Sequence, residues 1–124
     1  MRSNIKLKKK FKFENLVIWQ KAMVLGEEMD RVLERFPKKE MYNLSSQIRR
    51  AADSIALNIS EGSIVQSKPE FRKFIGYSIR SLAEVVSCLY KARNRKYMTE
   101  TEFDLKYDEA FNLMNMMIAF RKKI

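Results

Sequence analysis

Residues 42–62, YNLSSQIRRAADSIALNISEG, constrain this chain more than any other stretch. Leu44, Ile48, Ala51, Ala52, Ile55 and Ile59 recur at intervals of three and four, so at about 100° per residue they share one stripe. A helix from Tyr42 to Gly62 is predicted, with that stripe buried and Arg49, Arg50, Asp53, Ser54, Asn58 and Glu61 facing away from it. Asn43 stands where a side chain can cap the first turn, and Gly62 where a left-handed closing residue is cheapest. Arg49 and Asp53, one turn apart, are close enough to pair. Leu57 breaks the pattern, because it falls on the Arg50 and Asp53 side.

Three other segments share the helical period. From near Asn15 to before Pro37, the residues Ile18, Trp19, Ala22, Leu25, Met29, Val32, Leu33 and Phe36 form one apolar face, with Gly26 on it permitting close approach. From Ser67 to about Arg95 a second face runs through Phe71, Phe74, Ile75, Ile79, Leu82, Val85, Val86 and Leu89. Ser67 with Glu70 is a capping-box pattern, and Pro69 lies in the first turn, where its missing amide matters least. Thr99 with Glu102 repeats the box ahead of a fourth helix that runs nearly to the last residue. With only three Gly and two Pro, and no alternating β-branched runs, the chain reads as all-α and as one domain over residues 13–124.

The apolar pattern is wider than these cores require. Val17 and Val24 sit round from the main face of the first helix, beside Lys21 and Glu28. Leu105 and Met116 fall on the wet side of the fourth, whose segment FNLMNMMIAF has eight apolar residues in ten. Taken singly, each is an ordinary surface residue or a broad core. Together with Leu57 they predict self-association through Val17, Val24, Leu57, Leu105 and Met116.

Charge is concentrated at the start. Six of the ten net positive charges precede Phe13 with no acid among them, leaving +4 for residues 13–124. Residues 1–12 therefore read as a basic arm, with Lys6, Lys8, Lys9, Lys10 and Lys12 available to a polyanion. On the third helix Lys73, Arg80, Lys91 and Arg95 project within an arc of roughly 60° over ~33 Å, interrupted by Glu84. This is either a solvated helix face or a track for a phosphate backbone.

Catalytic chemistry is not indicated. Histidine is absent, no glycine loop can cradle a phosphate, and no serine stands in a nucleophile elbow. Glu61, Glu84 and Glu109 could meet in a bundle, but di-iron bundles add Glu-x-x-His motifs that this chain lacks. No enzyme, cofactor or metal site is expected, and Cys88 reads as a buried structural thiol. A single cysteine, no apolar leader and no apolar run near ~20 residues predict a soluble cytoplasmic protein without a membrane partner.

The run FPKKEMYNLSSQIRRAADSIALNISEG from Phe36 to Gly62, with FENLVIWQK before it and EFRKFIGYSIRSLAE after it, closely resembles the signature of the bacterial four-helix bundle proteins encoded in intervening sequences of large-subunit ribosomal RNA genes. That resemblance implies an up-and-down antiparallel bundle assembled as a homopentameric ring. More distantly the chain resembles accessory variability proteins of retroelements, which bind nucleic acid and a reverse transcriptase. Two functions remain open: a module that binds RNA or DNA electrostatically with little sequence preference, and an oligomeric adaptor for a protein partner.

Overall fold

The computed structural model describes residues 10–124, and four helices with no strand account for most of them. They are α1 (Val17–Leu33), α2 (Leu44–Ser63), α3 (Lys68–Asn94) and α4 (Glu100–Lys123). Residues in contact run in opposite order on successive helices: Asp30 and Gly26 of α1 face Arg49 and Asp53 of α2. Gln47, Ser54 and Gly62 of α2 likewise meet Cys88, Ser81 and Phe74 of α3. On α3, Tyr90 and Phe71 meet Phe103 and Phe120 of α4. Each helix is thus antiparallel to the one before it, and α4 returns to touch α1. Met29, Leu44, Ile48, Ile55, Ile59, Ile75, Leu82, Leu89, Leu113 and Met117 fill the centre with almost no exposure.

The helix ends show where local chemistry departs from the sequence reading. Ahead of α1 a 3₁₀ turn spans Lys12–Asn15 and so overlaps the last residue of the expected arm. Phe11 stacks on Phe13, Phe13 meets Trp19, and the Phe11 amide donates to the Glu14 carboxylate, which fastens this turn to α1. Ser67 and Thr99 do cap α3 and α4, each accepting from the amide three residues on, and Glu102 completes the box. Asn43 does not cap α2 with its side chain. Its amide instead donates to Glu40 Oε1, and that oxygen also accepts from the Leu44 amide, so the glutamate takes the capping role.

Gly62 also has a different task from the one expected. No described glycine has a positive φ, and α2 continues to Ser63. A Cβ on Gly62 would lie 2.5 Å from Phe74 Cβ, so glycine is required for α2 and α3 to approach. The left-handed residue is Lys96, with φ 64°. Behind it the Tyr97 amide bonds the Ala92 carbonyl and the Lys96 amide that of Arg93, which forms a Schellman closure of α3. Arg49, finally, pairs with Asp30 on α1 at 3.0 Å in place of Asp53. Asp53 is left beside Asp30 and Glu27, and burial first and those acids second push its carboxyl above the usual range.

Candidate functional site

At one end of the bundle the 34–43 and 95–99 links meet at Glu40. Its side chain is 7% exposed, and Oε2 accepts from Tyr97 Oη at 2.7 Å and Arg95 Nη1 at 3.1 Å. The tyrosine hydrogen bond, with the Leu44 amide and Arg95 in support, outweighs burial and holds this carboxyl below the usual glutamate range. Arg35 with Glu102 and Arg93 with Glu100 add ion pairs at the same end, and the Arg93 guanidinium also lies over the Tyr90 and Phe103 rings. Glu40 is not among the residues that the sequence pattern sets apart. The spacing carried no signal for it, because its partners Arg95 and Tyr97 are more than fifty residues away.

This arrangement divides the predicted cation track. Lys73, Arg80 and Lys91 are exposed on the outer face of α3, and none forms an ion pair with another described residue. Arg95 lies just past the end of α3 and is held by Glu40. Lys10 is exposed and Lys12 opens the first turn, whereas Lys6, Lys8 and Lys9 lie outside the described residues.

Of the apolar residues set apart by the pattern, Val17, Val24, Leu57 and Leu105 are 50%, 54%, 57% and 59% exposed, so the bundle core leaves about half of each in water. Met116 differs: it is half-buried and packs against the core in the groove where Val17 and Ile18 approach Phe120. A flexible thioether can turn into such a gap, which a rigid wheel projection does not anticipate. Two open grooves of about 490 Å³ border the exposed residues. One runs between α1 and α4, edged by Val17 and Val24, and the other between α1 and α2, edged by Met23 and Leu57.

Beside the first groove Lys106 Nζ bridges Glu28 Oε1 at 2.6 Å and Glu109 Oε1 at 3.1 Å. The Lys106 ammonium holds Glu28 below the usual range, while burial and the Glu28 carboxylate push Glu109 up. Burial opposes the charge on Lys106, yet its two carboxylate bonds prevail and raise it. Cys88 is buried beside Gln47, and burial pushes its thiol up, away from the reactive thiolate.

Fold and surface together define a small antiparallel helical bundle whose distinguishing features are unpaired cations and exposed apolar residues. The family model for the 23S rRNA-intervening sequence protein matches residues 14–119, and the chain belongs to that family. It is similar in fold to a crystal structure of a protein of unknown function from the S23 ribosomal protein family of Bacteroides thetaiotaomicron. The TM-score is 0.80 over 86% of this chain and 99% of that one, at 19% identity, a likeness of fold alone. No curated protein matches the chain. No helix among the described residues is long and apolar enough to cross a membrane.

Proposed function

We propose that this protein is a non-catalytic, self-associating cytoplasmic bundle that binds nucleic acid through its phosphates with little sequence preference. The observation that carries this reading is the outer face of α3. Lys73, Arg80 and Lys91 are exposed, lack acidic partners among the described residues, and are spread over ~27 Å of helix. Contacts of this kind are additive and release counterions, so affinity falls steeply with salt. Assembly is supported by the half-exposed Val17, Val24, Leu57 and Leu105, and the number five comes from the resemblance alone. A ring of five would tether five such tracks, which can raise avidity ~10² or more over a single site.

Fluorescence anisotropy with short labelled RNA and DNA tests the binding, and light scattering tests the assembly. Wild type is expected to bind both at about 50 mM salt and to lose affinity as salt rises. Deleting residues 1–9 leaves the Phe11, Phe13 and Trp19 row intact and is expected to flatten the salt dependence. Absence of salt-dependent binding would favour the second reading, a protein adaptor, for which the two apolar-edged grooves are the supporting observation. A monomer at micromolar concentration would remove the ring.

A further inference from the structure

The end of the bundle where α3 starts and α4 stops carries a set of cations, Lys73 of the α3 stripe among them, that periodicity alone does not bring together. Lys68 opens α3, Arg72 and Lys73 follow one turn later, and Arg121, Lys122 and Lys123 close α4. Three of them share one surface. Arg72 Nη1 donates to the Ile124 backbone oxygen at 2.6 Å, and Arg72, Arg121 and Lys122 line one wide, open depression. The Arg121 guanidinium lies against Gly76, 3.5 Å from where a Cβ would stand. Lys123 borders the groove that Asn15 and Val17 enter from the start of α1, so α1 begins at this same end. None of the six cations forms an ion pair with another described residue.

Helix electrostatics accounts for half of this arrangement and opposes the other half. Cations in the last turn of α4 are favoured by the partial negative charge of its exposed carbonyls. Lys68, in the first turn of α3, faces the partial positive end, and Arg72 and Lys73 add like charge with Glu70 the acid of that first turn. Repulsion is thereby concentrated where the fold gains nothing from it, and an external polyanion would relieve it.

Resting on the function proposed above, we infer that this basic end is the principal nucleic-acid contact. Lys68, Arg72, Lys73, Arg121, Lys122 and Lys123 take the phosphates of a strand, and Arg80 and Lys91 extend the track along α3.

The test compares equal charge losses at opposite ends by anisotropy titration with a short fluorescein-labelled single-stranded RNA. R121Q/K122Q/K123Q is expected to weaken binding about 10-fold at ~50 mM salt and to lower the slope of log affinity against log salt by about 2. K38Q/K39Q/K96Q, at the Glu40 end, is expected to change affinity less than about 3-fold and leave the slope alone. Lys68→Glu separates binding from folding, because an acid at that position suits the helix: thermal stability should rise while RNA affinity falls. Equal losses for the two triple variants, or wild-type affinity in R121Q/K122Q/K123Q, would overturn the basic end and leave general nucleic-acid binding standing. Wild-type protein that binds phosphatidylglycerol vesicles and no RNA would remove both readings in favour of a lipid surface.

Discussion

At one end of the bundle a buried glutamate gathers Tyr97, Arg95, Asn43 and the first amide of α2, and at the other six cations stand together with no described acid bound to them. The difference follows from the connections. The Glu40 end must turn two links over the core, 34–43 and 95–99, and each carries backbone groups that need partners. At the opposite end a single link, 64–67, joins two helices, and the turn ahead of α1 satisfies its own amides locally. Polar side chains at the first end are consumed by the fold, while the cations at the second, apart from the Arg72 bond to the Ile124 oxygen, make no ion pair with another described residue.

Substitutions at four positions can break or sharpen this contrast. The largest loss should come from Glu40→Ala, which strands Arg95, Tyr97 and the Leu44 amide at once; its melting temperature should fall further than that of any single surface substitution at the basic end. Because the Tyr97 hydrogen bond lowers the folded-state pKa of Glu40, its contribution is present above about pH 4.3 and disappears as pH falls through that lowered value. Urea unfolding as a function of pH should show this acid limb in wild type and a flatter one in Glu40→Gln.

Gly62→Ala comes next, since packing and not charge holds the basic end. A methyl 2.5 Å from Phe74 Cβ and 3.0 Å from Phe71 Cδ1 should destabilise by about 1–3 kcal/mol in denaturant titration. Lys96→Gly should act oppositely at the Glu40 end, stabilising by about 1 kcal/mol in the same assay because the left-handed conformation no longer strains a Cβ. The smallest effect belongs to Asp53→Asn, between the ends. Its raised folded-state pKa makes the charged form the unfavourable one, so the variant should gain a few tenths of a kcal/mol at neutral pH, measured by thermal melts. That gain should vanish in acid, where Asp53 is protonated.

The helices and two of their caps were legible because both signals are local. Apolar residues at three- and four-residue spacing marked Ile48, Ile55 and Ile59 as core, and Ser67 and Thr99 announced their helices within four residues. What could not be read depends on distant partners. Arg49 had Asp53 within one turn, yet a facing helix offered Asp30. Gly62 looked like a terminator because nothing in its neighbourhood reveals the Phe74 ring of α3. The outer stripe of α3 was visible on a helical wheel, but Arg95 left it for Glu40, and the join between Arg72 and Arg121 exists only once α3 and α4 are packed.

The contact between the start of α3 and the last turn of α4 has a consequence for how the bundle opens. Terminal turns are where helices fray first. With Phe71 packed edge-on against Phe120 and Arg72 Nη1 bonded to the Ile124 oxygen, the last turn of α4 cannot open without baring the first turns of α3. The two helix ends therefore open as one unit, and the depression between them is kept or lost as a whole.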